Sequence, residues 1–154
     1  MNTCSFDNYP NNTKEDAIKL NIEAPVELIA YISKGMISRK QGRIINIASI
    51  AGQIGHPDIW YGITKAGMIN MTKSFAKLLG KHGVLVNAIA PGIVSTDMLN
   101  SIPKKRQEMI LQNVQSGRFA EAKEIAKTIL WLATESPEYI NGTCIDINDG
   151  AFPR

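Results

Sequence analysis

Arg43-Ile-Ile-Asn-Ile-Ala-Ser-Ile-Ala-Gly52, followed by Tyr61-Gly-Ile-Thr-Lys65, decides how this 154-residue chain folds. Arg43 to Ala48 is a short apolar run with β-branched residues, bounded by Gln41-Gly42 before it and by Ser49 and Gly52 after it. The run predicts a buried parallel strand whose carboxyl end delivers Ser49. A loop carrying Gly55 and Pro57 follows, and a helical pattern begins near Ile59. Tyr61 and Lys65 lie one helical turn apart and so share a face. A phenol, with a pKa of about 10, exchanges protons poorly at neutral pH, and a nearby ammonium favours its ionised form. A serine hydroxyl at a strand end can then hold a carbonyl oxygen while the tyrosine exchanges a proton with it. Taken alone, a tyrosine and a lysine at this spacing also describe an ordinary solvated helix face.

Upstream, residues 1–13 are polar and read as an irregular lead-in, with Thr13 as a helix cap. A helix is expected over 14–38, with Ile18, Ile22, Val26, Ile29 and Ile32 on one side. Pro25 inside it predicts a kink or a break. Downstream, the helix from Ile59 runs to Gly80, and His82-Gly83 closes it. Val84-Leu-Val-Asn-Ala-Ile-Ala-Pro-Gly92 is a second buried-strand pattern. In open parallel sheets ligands gather beyond the carboxyl ends of strands, which puts Pro91 to Thr96 on the functional rim. Residues 97–117 carry apolar side chains interrupted by Pro103, and Lys104-Lys105-Arg106 reads as a solvated helix start. Arg118 then opens a helix to about Thr134, with Ile125, Ile129, Leu130 and Leu132 inward, and 139–148 form the last strand.

These segments resemble, in order and spacing, the short-chain dehydrogenase/reductase family, and most of all its 3-oxoacyl-carrier-protein reductase-like members. The resemblance rests on strand, serine, glycine-containing loop and Tyr-x-x-x-Lys, on Leu20-Asn-Ile-Glu-Ala-Pro25, and on Val86-Asn-Ala-Ile-Ala-Pro-Gly-Ile-Val-Ser-Thr-Asp97. It covers roughly residues 14–150. It implies oxidoreductase chemistry with NAD or NADP on a carbonyl or secondary alcohol, a 3-oxoacyl group or another ketone being the type of substrate. It also implies a catalytic set of Asn21, Ser49, Tyr61 and Lys65. Cofactor contacts are implied for Tyr61, Lys65, Pro91, Gly92, Val94 and Thr96, with 97–117 as a substrate flap and no metal. A homo-oligomer through the helices at 14–38 and 59–80 is implied as well.

The implied fold is α/β: the second half of a doubly wound Rossmann-type parallel sheet, about three strands and four to five helices in one partial domain. Its N-terminal half is absent. No glycine in the sequence forms a G-x-x-x-G-x-G or G-x-G-x-x-G turn after an N-terminal strand, where such a sheet binds pyrophosphate. The family's strand order would leave Arg43–Ala48 with an unpaired edge. The alternative reading is therefore a catalytically inactive half that acts as an interaction module or is a gene remnant.

Composition excludes other classes. Hydrophobic residues at 44% and charged residues at 20% suit a soluble globular domain, and a net charge of +3 with scattered lysines gives no nucleic-acid footprint. Cys4 and Cys144 match no metal or redox spacing; Cys144 is expected to be buried and Cys4 loose at the surface. The N-terminus has no signal-peptide pattern and no apolar run reaches membrane-spanning length, so the cytoplasm is expected.

Overall fold

The computed structural model describes residues 11–100 and 102–153. Most of the expected lead-in, with Cys4, lies outside them. Helix α1, Asn11–Ile18, takes Thr13 into the helix rather than placing it as a cap. A π-helical turn, Lys19–Glu23, joins α1 to α2, Ala24–Ser38. Pro25 has no N–H to continue the ladder and sits in the first turn of α2, so the break falls just ahead of it. The Ala24 N–H reaches back to the Lys19 carbonyl, and the extra residue per turn rotates everything after it. Ile29 is buried at 2% exposure as expected, while Val26, also expected inward, is 38% exposed.

Strand β1, Gly42–Ile47, pairs in parallel with β2, Val84–Pro91, and β2 pairs in parallel with β5, Cys144–Ile147. Helix α3, Ile59–Leu79, is the crossover between β1 and β2. A two-residue ribbon, β3 (Val94–Ser95) against β4 (Ala120–Glu121), ties the end of β2 to helix α6, Ala122–Thr134. Between them lie α4, Asp97–Asn100, and α5, Lys104–Leu111. Helix α6 thus starts four residues later than its pattern predicts, because Phe119 and Glu121 flank the ribbon and Glu121 and Glu124 close a capping box.

Strand alternation sorts the core into two faces. Ile44, Val84 and Val86 pack with Ile29, Ala76 and Leu79 under α2 and α3. Ile89 packs with Ile125 and Leu132 under α6, with Ile45 and Ile145 alongside. Leu130, expected inward, is 61% exposed because it stands a third of a turn off the Ile125–Ile129–Leu132 stripe. The last strand is shorter than the expected 139–148. Asn141 accepts the Val86 N–H, and Asn87 bonds the Ile140 carbonyl and the Thr143 N–H, so side chains share the pairing there with two backbone bonds, Gly142 N–H to the Val86 carbonyl and Ala88 N–H to the Thr143 carbonyl.

The sheet order is β1-β2-β5, so β1 is an edge with no strand partner among the described residues. The Ala48 N–H bonds the Ile89 carbonyl, so by alternation the polar groups of Arg43, Ile45 and Ile47 face the open side. The strand is parallel as expected but only partly buried, with Ile47 at 42% exposure. Arg43, which opens the apolar run, is a tie: its guanidinium donates to the Leu132 carbonyl at 3.0 Å, to the Ser136 hydroxyl and to the Ser136 carbonyl at 2.8 Å. Arg43→Leu leaves those acceptors bare and is expected to lower unfolding free energy by about 2 kcal/mol, read from a urea midpoint. An unchanged midpoint would show that water replaces the guanidinium without loss. Among the described residues no helix is long and apolar enough to cross a membrane.

Candidate active site

All three strands of the main sheet end at one cavity of about 1060 Å³. Ala48 and Ser49 come from the end of β1, Pro91 and Gly92 from β2, and Ile147 to Asp149 from β5. Ser49 has extended backbone and accepts the Ala51 N–H at 3.1 Å, which opens a short 3-10 turn over Ile50–Gly52. That hydrogen bond fixes the side chain and leaves the hydroxyl proton free to point elsewhere.

Asp58 caps α3 by accepting the Tyr61 N–H at 3.0 Å, so Tyr61 stands in the first turn, over the cavity. Its ring lies 5.3 Å from that of His56, which also lines the cavity. His56 Nδ1 lies 3.1 Å from both the Asp58 N–H, which it can accept, and the Asp58 carbonyl, to which it can donate, so either tautomer holds the ring in place. Lys65 Nζ lies 5.7 Å from the Tyr61 ring centre and donates to the outward-facing carbonyl of Ile47 at 2.9 Å. Burial draws the Lys65 pKa below its ordinary value.

Ser49, Tyr61, Lys65, Pro91, Gly92, Val94 and Thr96 all line this cavity. Asn21 does not. It lies in the π-helical turn behind α3, where its amide donates to Thr64 Oγ1 at 3.2 Å, and Thr64 in turn bonds the Tyr61 carbonyl. Pro25 cannot donate to the Asn21 carbonyl four residues back, so that oxygen lacks the usual helical donor. Met98, Leu99, Ile102 and Ile110 of the expected flap also line the cavity, while Met109 is 58% exposed.

The family model described as enoyl-(acyl carrier protein) reductase matches residues 2–151. The chain belongs to the short-chain dehydrogenase/reductase family. A 3-oxoacyl-[acyl-carrier-protein] reductase of Haemophilus influenzae is 37% identical over 138 residues, covering 89% of this chain and 57% of that protein. A solved 4-hydroxyisoleucine dehydrogenase complexed with NADH is 27% identical at a TM-score of 0.87, covering 93% of this chain and 60% of that one. A 3-oxoacyl-[acyl-carrier protein] reductase from Brucella melitensis is 25% identical at a TM-score of 0.88, covering 94% and 55%. The chain therefore spans a little over half the length of these short-chain dehydrogenase/reductase relatives.

The cavity suits one end of a nicotinamide dinucleotide better than the other. Donors for a ribose and a carboxamide are present in Lys65, Ser49, Thr96 and the backbone after Pro91. A pyrophosphate needs an open helix N-terminus with free N–H groups. Here Asp58 closes the N-terminus of α3, and Glu121 with Glu124 closes that of α6, so negative charge already stands where phosphate would go.

Reading the sequence missed two residues of this wall, Arg106 and Arg118, and one glycine just behind it. Gly52 was taken only as the end of the strand segment, yet a Cβ there would stand 2.5 Å from the Lys65 backbone. Arg106 was assigned to a solvated helix start; Lys104 and Lys105 are exposed, but Arg106 is half-buried in the cavity wall. Arg118 forks onto Glu124 with two bonds of 2.8 Å, which holds the Glu124 carboxyl down to about 2, helped by the Glu121 N–H. A depressed carboxyl contributes stability in full above its unfolded value and loses it as pH falls through its folded one. The loss attributable to Glu124 is thus expected between pH 4.5 and about 2. Glu124→Gln is expected to flatten the fall in melting temperature over that interval, and an identical pH profile would refute the assignment.

Proposed function

We propose that the chain carries the catalytic half of a nicotinamide-dependent oxidoreductase that interconverts a carbonyl and a secondary alcohol. One observation carries the reading: Ser49, Tyr61 and Lys65, from a strand end and a helix start, converge on one cavity with the Pro91–Thr96 rim. Ser49 donates its hydroxyl proton as a hydrogen bond to the substrate oxygen and so fixes the carbonyl. Tyr61 gives a proton to that oxygen in reduction and takes it in oxidation. Lys65 brings positive charge beside the ring, offsets the negative charge that builds on the phenol oxygen, and has donors to spare for ribose hydroxyls. Asn21, through Thr64 and its carbonyl, orients the helix turn and orders a water behind Lys65. NAD or NADP, when bound, supplies or accepts the hydride, with Tyr61, Lys65, Pro91, Gly92, Val94 and Thr96 at its nicotinamide end. A 3-oxoacyl group or another ketone is the substrate class.

The test is a titration of the purified chain with NADH and NADPH, followed by fluorescence. Saturable binding is expected, and its absence at millimolar cofactor would overturn the reading for the isolated chain. A second reading then takes over, favoured by the open edge of β1 and the closed helix N-termini: an interaction module that binds no dinucleotide. Leu20 at 72%, Tyr31 at 75% and Leu78 at 62% exposure supply apolar surface for self-association through the helices at 14–38 and 59–80. Sedimentation that finds only monomer, alone and mixed with a full-length relative, would remove that reading too.

A further inference from the structure

We propose that Arg106 receives an anionic group of the substrate, so that the substrate is an oxo or hydroxy acid rather than a neutral ketone or alcohol. The inference rests on the oxidoreductase reading above and narrows it.

The charges around the cavity are nearly all spoken for. Lys65 is bonded to the Ile47 carbonyl, and Arg118 is neutralised by Glu124. Asp146 receives the Gln53 amide at 2.6 Å, and Asp149 the Ser116 N–H at 2.7 Å. Among the described residues Arg106 is the wall cation whose side chain has neither an ion pair nor a hydrogen bond. It is half-buried on α5, among Met98, Leu99, Ile102 and Ile110. An unpaired guanidinium on the wall of a cavity is a ready partner for an anion.

Its placement is also preset. The next residue, Gln107, donates to the Leu99 carbonyl at 3.1 Å and the Ile102 carbonyl at 2.8 Å, which pins α5 to the turn after α4. A guanidinium on a helix so fixed offers a planar fork that matches a carboxylate or phosphate with two parallel bonds. The same flap supplies the apolar side chains, so its ligand carries an apolar body and an anion together. A dinucleotide phosphate shares the anion chemistry, and the test separates the two sources.

The probes are 3-oxohexanoate and its neutral methyl ester, with binding to the full chain read by saturation-transfer NMR without cofactor. The acid is expected to bind wild type about tenfold more tightly than the ester. Arg106→Met is expected to erase that difference with an unchanged circular dichroism spectrum, and Arg106→Lys to restore part of it. An acid preference that survives in Arg106→Met overturns the proposal, as does failure of wild type to bind the acid. Weakened NADPH binding in Arg106→Met with acid binding intact also overturns it, and assigns the arginine to a cofactor phosphate. The readout is independent of turnover: if Tyr61→Phe stays active, the catalytic reading falls while the acid selectivity stands or fails on its own.

Discussion

Replacing Tyr61 by Phe is expected to lower kcat by about 10²- to 10⁴-fold in any preparation that turns over, the range that a positioned acid–base group contributes. The substitution is unusually clean because the hydroxyl is the only thing removed. The cap on α3 uses the Tyr61 backbone N–H and the Asp58 carboxylate, so the helix start is untouched. The ring keeps its tilted contact with His56 and its place beside Lys65. Melting temperature is therefore expected to stay within about 2 °C, since no buried partner of the hydroxyl is stranded. The experiment follows NAD(P)H absorbance at saturating substrate. A kcat within a few-fold of wild type would remove Tyr61 from the chemistry and pass the role to another proton carrier in the cavity, with His56 Nε2 next in line.

What could be read from the sequence was what local pattern decides. Alternation and β-branching located β1 and β2, and the helical pattern placed the start of α3 near Ile59. The sites on the cavity wall followed, because residues just beyond parallel strand ends share one rim whatever the loops do. The failures have a common cause in contacts distant along the chain. Pro25 announced a break, but only the π-helical geometry shows that Val26 turns outward after it while Ile29 stays inward. Residues 139–143 have the composition of a strand, and Asn141 and Asn87 interrupt its regular pairing by bonding backbone across more than fifty positions. Arg106 lies in a run of three basic residues whose composition is that of a solvated face; helical rotation turns one of them inward. Arg43 looked like the polar start of a strand, and its role is set by Ser136 at the far end of α6.

Gly52→Ala is expected to damage both the fold and the site. A Cβ at Gly52 would lie 2.5 Å from the Lys65 carbonyl carbon and 2.7 Å from its oxygen and the Ala66 nitrogen, all backbone of α3. Helix backbone cannot give way as the tip of a side chain does, so either the 3-10 turn or α3 must retreat by about 1 Å, at a cost of about 3 kcal/mol. That predicts a melting temperature lower by about 10 °C for a domain of this size. Gly67→Ala should cost less, since its Cβ meets only the flexible end of Ile22, and Gly55→Ala should be near neutral, with nothing within 4 Å. The retreat also separates Ser49, which begins the turn, from Tyr61 and Lys65 on the helix. A misplacement of about 1 Å between reacting groups costs on the order of 10²-fold in rate. Turnover should therefore fall in Gly52→Ala even at temperatures where the protein remains folded. If Gly52→Ala melts like Gly55→Ala, the close approach of turn to helix is not what sets the serine against the tyrosine, and the spacing must be held by the Lys65–Ile47 bond instead.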